Sequence, residues 1–428
     1  MSTSELFLSE NEIKSFLSEF GQNSDYMYGY EGEEFGICPF ITFYILNSGD
    51  EVLLIADKIL SICNVFEEEI IDKPLNLFYR NENSHWKKIV KKKPNKKPNK
   101  KDIITDVTKT LDSDLFYFIG ASSADSSLQS AQWAYSAMLS QASAYSYLKI
   151  TFSSKWYKNN KNKWEEFVER CLKEFNPIQS YSGYEIGNST QLSSISPEFE
   201  TAERIFTDYF YGLDIDHPAA MAFHSHYDED GFEYLPVLGA GLRTPTWCFL
   251  LSPYWIDKLG LSEEQIRLKL NDPRIEITKL PDVTNPEKFS LWIRLGELSL
   301  YPVEEGIPDL LMMANELIKP IRCNDLKLTT LDAWDDDPNP RFDIENSPQW
   351  IARFDEDSHW PDGKRINKVS NLPLEEKLKV KGGELCPQTG YWQTPAQPDE
   401  LQYFKQGEIL PILSELDWGE VFWCWVGK

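Results

Sequence analysis

The sequence predicts an α+β protein in which mixed sheets are built from repeated strand-helix units, with a small β-rich module at the C-terminus. Apolar runs with strand character are followed, three times along the chain, by apolar residues at helical spacing. Hydrophobic residues make up 41% and aromatic residues 14% of the 428 residues, so the chain can bury a large core. Residues 421–425 form an apolar stretch typical of a final strand with both faces covered.

The first strand-helix unit lies in residues 40–66. Residues 40–46 form a continuous run of β-branched and aromatic side chains, which predicts a strand. The segment Asn47-Ser48-Gly49-Asp50 then breaks the run. Apolar residues recur at helical spacing after the break, at Val52, Ile55, Ile59, Ile62 and Phe66. This spacing predicts a helix with one apolar face.

A second unit follows in residues 148–175. Residues 148–152 alternate as a strand, and after a polar turn six apolar residues fall on one face of a helix. Those six are Trp164, Phe167, Val168, Cys171, Leu172 and Phe175. Between the first two units we predict a strand at residues 115–119 and a helix of small residues at 131–144.

The third unit combines a strand at residues 247–251 with a helix that begins at Pro253. Ser252 has the side chain of an N-cap, and proline is favoured at the first helical position, where an amide hydrogen would have no helical partner. Ile256 and Leu259 continue the apolar spacing. Three strand-helix units in succession favour α and β elements packed around shared sheets.

The chain is predicted to divide into an N-terminal arm at residues 1–37, a body at 38–355, a linker at 356–375 and a C-terminal module at 376–428. The linker is rich in Asp, Pro, Gly and Asn, which is typical of a connection between domains. Within the body, the lysine-rich residues 87–101 contain Pro94 and Pro98, which interrupt helices and strands. Their like charges repel, so we expect a mobile surface loop there.

The formal net charge of −25 is the main physical indication of a partner. Nine lysines lie in residues 87–101, and removing these nine positive charges from −25 leaves −34 for the rest of the chain. A negative field of this size repels the phosphates of nucleic acids and attracts basic protein surfaces. We therefore expect a protein partner and no nucleic acid. Acidity that serves solubility alone is the alternative explanation.

Cysteine usage and the N-terminus predict a cytosolic protein. The seven cysteines are widely spaced and include no Cys-x-x-Cys pair, which argues against a disulfide framework and against a structural zinc site. The first twenty residues lack the cationic start and the apolar run of a secretory signal. No stretch approaches the roughly 18 consecutive apolar residues of a membrane span, so no membrane association is expected.

One motif suggests metal-dependent hydrolysis. His224-Ser225-His226-Tyr227-Asp228 reads His-x-His-x-Asp, in which His224, His226 and Asp228 could converge on one metal ion. Glu229 and Asp230 follow where such sites usually have another histidine, and a polar surface loop is the simpler interpretation. The chain contains no Gly-x-Ser-x-Gly elbow and no phosphate-binding glycine loop, so no cofactor and no catalytic residue are predicted.

Several short segments resemble a known family when they are taken in order. In the body they are Tyr209-Phe210-Tyr211-Gly212-Leu213-Asp214-Ile215-Asp216, Gly241-Leu242-Arg243-Thr244-Pro245-Thr246-Trp247, Leu259-Gly260, and Trp350 with Arg353-Phe354-Asp355. At the C-terminus they are Cys386-Pro387-Gln388-Thr389-Gly390-Tyr391-Trp392-Gln393, Tyr403-Phe404-Lys405-Gln406-Gly407-Glu408-Ile409-Leu410-Pro411 and Phe422-Trp423-Cys424-Trp425. The chain resembles type VI secretion immunity proteins, with the C-terminal module that recurs among such proteins.

The resemblance implies a cytosolic antitoxin that is not an enzyme. Such a protein binds one secreted toxin domain, of the type VI or Rhs type, and neutralises it stoichiometrically. A metal-dependent hydrolase using the His-x-His-x-Asp motif is one alternative, and an acidic scaffold of a secretion or defence complex is another. The chemistry of the toxin is not implied.

Two acidic triplets are the candidate contacts with that toxin. They are Asp228, Glu229 and Asp230, and Asp335, Asp336 and Asp337. Toxins that act on nucleic acids or nucleotides carry basic clefts, which acidic loops can occupy. Solvated loops without a partner are the alternative interpretation of both triplets.

Overall fold

In the computed structural model the chain forms two units, a body at Met1–Ile366 and a C-terminal unit at Asn367–Lys428. The structure describes residues 10–22, 27–30, 33–46, 52–80, 86–89, 100–111, 116–127, 129–140, 145–187, 197–219, 225–227, 233–236, 241–282, 285–324, 326, 328, 340–343, 345–361, 379–394, 397–412 and 422–427.

Ten α-helices and seventeen strands occur within these residues. The helices are α1 (Glu10–Gln22), α2 (Val52–Val65), α3 (Lys100–Leu111), α4 (Ser154–Asn159), α5 (Lys161–Phe175), α6 (Pro197–Phe206), α7 (Pro253–Leu259), α8 (Glu263–Lys269), α9 (Asp309–Ile318) and α10 (Asn346–Ile351). Among the helices that the structure describes, none has the length and apolar character needed to cross a membrane.

The strands of the body are β1 (Met27–Tyr30), β2 (Glu33–Leu46), β3 (Leu77–Arg80), β4 (Lys87–Lys88), β5 (Phe116–Ser122), β6 (Ala134–Ser140), β7 (Tyr145–Thr151), β8 (Gln179–Gly187), β9 (Ser225–Tyr227), β10 (Glu233–Pro236), β11 (Cys248–Leu251), β12 (Ile275–Pro281) and β13 (Phe289–Leu295). Those of the C-terminal unit are β14 (Lys379–Lys381), β15 (Gly390–Thr394), β16 (Gln397–Phe404) and β17 (Phe422–Gly427).

The body is built on one eleven-stranded sheet. Its order is β12-β13-β11-β8-β2-β7-β6-β5-β3-β4, with β1 paired to β2 outside this path. Every strand pair in the described part of this sheet is antiparallel. Helices and one large sheet around a common core confirm the predicted α+β class.

Helices α4 and α5 connect two strands that flank β2. Strands β7 and β8 both pair antiparallel with β2, so they run parallel to each other on either side of it. A connection between parallel strands must cross a face of the sheet, and helices commonly make that crossing. All six apolar residues that were assigned to one face from their spacing are buried in α5, which confirms this prediction.

The helix that begins at Pro253 is also confirmed. Proline occupies the first turn of α7, Ser252 is the N-cap residue, and Gly260 ends the helix with a φ of 64°. The side chain of Ser252 makes no capping hydrogen bond, so proline and glycine mark this helix more clearly than its N-cap does.

The helix predicted at residues 131–144 is wrong. The segment forms β6, which pairs with β5 on one side and β7 on the other. Alanine has a high intrinsic preference for helices, and a segment of small side chains lacks the alternation of apolar and polar residues that indicates a strand. In the sheet, Ala137 and Leu139 are fully buried. Tertiary pairing, which has no local signal, outweighs the helical preference here.

Residues of the predicted N-terminal arm contribute to the core of the body. Ile13 and Phe16 of α1 are buried, and the ring of Phe16 lies 5.0 Å from the ring of Phe206 in α6. Strand β2 begins at Glu33, and Phe35 is buried within it. The first described residues are thus part of the packed structure.

The two predicted connectors contain ordered structure at their ends. In the lysine-rich segment, Lys87–Lys88 form β4 and α3 begins at Lys100, while residues 90–99 lie outside the described residues. In the predicted linker, Trp360 is buried, and its indole nitrogen donates to the carbonyl oxygen of Thr207 at 3.2 Å. Burial of the Trp360 ring packs the described residues 356–361 against the rest of the body.

The C-terminal unit contains one four-stranded sheet with the order β14-β17-β15-β16. Its core is formed by Cys386, Trp392, Leu410 and Trp423. Tyr391, Tyr403 and Phe422 are exposed by 44%, 52% and 42%, and the two tyrosine rings pair at a centroid distance of 5.1 Å. The many aromatic residues of this unit are therefore divided between its core and its surface.

Substitution of Gly212 should destabilise the body. A Cβ at this position would overlap the carbonyl oxygen of Ser299 and lie 2.9 Å from that of Leu300. Backbone atoms cannot move aside cheaply, so we expect Gly212→Ala to cost about 3 kcal/mol of unfolding free energy, measured by urea denaturation. Gly260→Ala is the control, because nothing lies within 4 Å of its Cβ and only its φ of 64° opposes alanine. That variant should lose about 1 kcal/mol, and equal losses would refute the steric argument.

Candidate functional site

Four charged residues from three separate segments meet in the interior of the body. Asp214 accepts a hydrogen bond from Nη2 of Arg353 at 3.1 Å and lies 3.7 Å from Nη2 of Arg243. Asp216 accepts from Nη1 of Arg243 at 2.7 Å. No more than 2% of any of these four side chains is exposed. They form, with Lys149 and Glu185, the ionic core of the body.

The central sheet supplies the remaining contacts to Asp216. Nζ of Lys149 lies 2.5 Å from Oε2 of Glu185 and donates to the carbonyl oxygen of Asp216 at 2.6 Å. Tyr44 donates its hydroxyl to Oδ1 of Asp216 at 2.8 Å, and Thr42 donates to Oδ2. The carboxylate of Asp216 thus accepts from an arginine and two hydroxyls, which satisfies it without water.

Strand register explains why these side chains converge. Lys149 lies opposite Thr42 on the neighbouring strand, and Glu185 lies on the same face of β8, because residues two apart in a strand share a face. Gly183, also on this face, leaves the space that Asp214 fills, since a Cβ there would collide with its carboxylate. The other face packs on helices, as Phe43 does against Phe175. Near the centre of the sheet, one face therefore packs on α5, and the other carries the buried charged groups.

Burial and neighbouring cations decide the protonation of the acidic groups. Burial raises the pKa of Glu185 to about 8, although Lys149 opposes the shift. Burial also raises the pKa of Asp214 to about 6, against the pull of the arginines. At Asp216 burial is outweighed by Lys149 and Arg243, and the pKa is lowered. Asp216 is the anion around which the cations are arranged.

Two further polar clusters accompany the ionic core. Nε2 of His217 lies 3.0 Å from Oε2 of Glu203, and both side chains are buried. Burial lowers the pKa of His217, but the carboxylate of Glu203 outweighs burial, so the net shift is upward. Arg322 donates two hydrogen bonds to Asp355, at 2.7 and 3.0 Å. Pairing of this kind is what allows charged groups to be buried.

The ionic core has an architectural role, because a partner cannot reach it. Its members include Asp214, Asp216, Arg243 and Arg353, which come from the segments that carry the family resemblance. The segments of the body that carry the resemblance therefore stabilise its fold. A surface that recognises a partner must be sought elsewhere.

A groove lies on the surface between α5 and the end of the large sheet. Glu165, Glu169 and Leu172 follow one another at steps of four and three along α5, so they face the same side. The residues that line the groove are Glu165, Glu169, Leu172, Glu276, Thr278, Leu280, Trp292 and Arg294. Its cavity volume is about 100 Å³. An opening of this size can admit one side chain of a partner.

The groove has acidic walls and an apolar floor. Arg294 bonds to Glu165 at 2.7 Å and to Glu276 at 2.5 Å, and these two carboxylates remain 40% and 65% exposed. Glu169 is 47% exposed and pairs with Lys173 at 2.5 Å. Three carboxylates and one guanidinium line the groove, and with Lys173 beside it the local formal charge is −1. A cationic group is the ligand that this arrangement favours.

The two predicted acidic triplets lie outside the described residues. This applies to Asp228, Glu229, Asp230, Asp335, Asp336 and Asp337, and their role as toxin contacts stays a prediction. Of the proposed metal ligands, His226 lies on β9, while His224 and Asp228 are also outside. Among the residues that the structure describes, no group of three or more His, Cys, Asp and Glu could hold a metal ion.

Sequence reasoning missed both the buried cation and the groove. Lys149 interrupts the apolar alternation of β7, and Glu185 interrupts β8, which is the one local signal that either strand offers. A charged residue within a strand that is otherwise buried indicates an ion pair. The groove has no local signal, since its walls come from α5 and from β12 and β13.

Comparisons with known proteins assign the chain to a family. The family model described as type VI immunity for VRR-NUC (TsiV) matches residues 70–354. No curated protein matches the sequence. Among solved structures, the T6SS protein PA0821 of Pseudomonas aeruginosa superimposes with a TM-score of 0.61 at 16% identity, covering 82% of this chain and 93% of that one. At this identity the superposition shows a shared fold.

Removal of a cation from the ionic core should destabilise the body strongly. Arg243→Ala leaves Asp214 and Asp216 buried with less compensation, so we expect a loss of about 3–5 kcal/mol in urea denaturation. Arg274→Ala is the control, because Arg274 is 48% exposed and bonds to Asp272 and Asp309 at the surface. That variant should lose about 1 kcal/mol or less. A similar loss for both variants would mean that burial of the pair is unimportant.

The stability of the body should decline as pH rises from mild acid to mild alkali. The pKa of Glu185 is about 8, above its ordinary value of 4.5, so the native state holds this proton more tightly than the unfolded chain. Its contribution is complete below pH 4.5 and is lost as pH rises toward about 8. The raised pKa values of Asp214 and His217 act in the same direction.

Glu185→Gln should flatten this decline, because glutamine stays neutral at every pH. The melting temperature, followed by circular dichroism across that range, is the measurement. Glu356→Gln is the control, since Glu356 is exposed. Parallel pH profiles for wild type and Glu185→Gln would show that Glu185 is not the group responsible.

Proposed function

The chain belongs to the family of type VI immunity proteins for VRR-NUC (TsiV), and from this membership we propose that it binds the VRR-NUC domain of a secreted toxin and blocks that domain stoichiometrically. The match over residues 70–354 is the observation that carries the proposal. It includes all six residues of the ionic core and all eight residues that line the groove. Both the framework and the candidate surface thus lie in the matched region.

Inhibition by occupancy needs a complementary surface and no catalytic group. The residues of the ionic core lie in the matched region, but they are buried inside the body, where they pair with one another. The surface is left to make the contact with the toxin. The cytosol is the proposed place of the encounter, because a nuclease toxin would find nucleic acid there.

Charge supports a toxin with a basic cleft. A domain that cleaves nucleic acid must attract phosphates, so its substrate surface is expected to be cationic. The chain carries a formal charge of −25, which steers such a domain toward it and raises the association rate. The triplets that begin at Asp228 and Asp335 remain proposed contacts.

We also propose that the C-terminal unit contributes to binding of the toxin. The family match ends at residue 354, before this unit begins at Asn367. The exposed rings of Tyr391, Tyr403 and Phe422 are of the kind that anchor protein interfaces.

The proposal predicts inhibition at a fixed molar ratio. A cognate VRR-NUC toxin domain should be expressed together with this chain, and the two proteins should elute together from size exclusion. In a plasmid-cleavage assay, increasing amounts of the immunity protein should abolish cleavage at an equivalence point set by the composition of the complex.

A double variant separates this proposal from the hydrolase alternative. His224→Ala with His226→Ala removes the two histidines of the His-x-His-x-Asp motif, and we expect protection and the equivalence point to be unchanged. Full protection at a small fraction of equivalence, lost in this double variant, would show catalysis instead of occupancy.

A further inference from the structure

We propose that the groove between α5 and the strands β12 and β13 receives a cationic segment of the toxin. This inference rests on the proposed function and names the part of the body that makes the contact. The partner is a protein surface rich in arginine or lysine, of the kind that binds nucleic-acid phosphates. Three properties of the groove carry the proposal: its rigid walls, its charge and its floor.

The walls are held in place by the core of the body. Helix α5 is anchored by six buried residues, from Trp164 to Phe175. Strands β12 and β13 pair at seven consecutive positions, which fixes Glu276 opposite Arg294 and Thr278 opposite Trp292. The groove is therefore formed before a partner arrives, and binding costs little ordering of its walls.

The charge of the groove selects a cation. Arg294 is held between Glu165 and Glu276, so its positive charge is compensated within the groove. The carboxylates keep 40% and 65% of their side chains exposed and can accept further hydrogen bonds. An entering guanidinium or ammonium would also meet Glu169, which is 47% exposed and pairs with Lys173 at the surface, where an ion pair is weak and can share its carboxylate. An anionic segment would be repelled by the same groups.

The floor suits the stem of a long cationic side chain. Leu172, Leu280 and Trp292 are buried and line the base of the groove. The methylene groups of arginine and lysine pack on apolar surface while their charged ends stay with polar groups. An aromatic floor adds an attraction for the cation itself. The groove thus combines a charged rim with an apolar base, as protein interfaces commonly do.

Two substitutions at one position test the charge without removing a charged side chain. Thr278 is exposed and lines the groove, so Thr278→Lys and Thr278→Glu each add a long side chain of opposite sign there. The association rate with the catalytically inactivated VRR-NUC toxin should be measured by stopped flow over a series of salt concentrations. We expect Thr278→Lys to slow association about tenfold at low salt and Thr278→Glu to leave it equal or faster.

Glu169→Lys should slow association in the same way, whereas Glu356→Lys is the control for net charge. Glu356 is exposed and does not line the groove, and both substitutions change the charge equally. Equal slowing by Glu169→Lys and Glu356→Lys, or equal rates for both Thr278 variants, would overturn the groove as the docking site. Failure of the wild-type protein to form any complex would instead overturn the proposed function. Unchanged melting temperatures show that each variant is folded.

Discussion

The ion pairs between Asp214, Asp216, Arg243 and Arg353 are the interaction on which the rest of the body depends. Each of these groups is costly to bury alone, and each becomes tolerable because the others are present. They join segments that lie far apart in the chain to the central sheet through Lys149. If one of these segments unfolded alone, it would leave a buried charge without its partner. The body should therefore behave as one cooperative structure, despite its eleven-stranded sheet.

This arrangement separates framework from recognition. The residues by which the body resembles immunity proteins are largely buried within it, where they determine its shape. In the proposed docking at the groove, the choice of partner depends on surface positions such as Glu169 and Thr278, which the framework holds in place but does not specify. A surface residue can change without disturbing the ionic core, so one fold can serve different toxins.

The sequence pattern correctly predicted the helices in which buried apolar residues recur at a regular helical spacing. The apolar spacing in α2 and α5 and the proline at the start of α7 correspond to helices in the structure. The same reasoning failed at residues 134–140, where alanine and serine indicated a helix and the structure has β6. Neighbouring strands decide that segment, and their pairing involves residues distant in the sequence.

By itself, the sequence determined the α+β class, the helices with regular apolar spacing, the strong negative charge and the resemblance to immunity proteins. These follow from composition, from local period or from short motifs. Only the tertiary structure decided that Lys149 meets Glu185, that Asp214 meets Arg353, and that Glu165 and Glu276 form one groove. Those contacts depend on strand order and register, which are settled by the packing of the whole sheet. No local pattern encodes the distance between two residues on different strands.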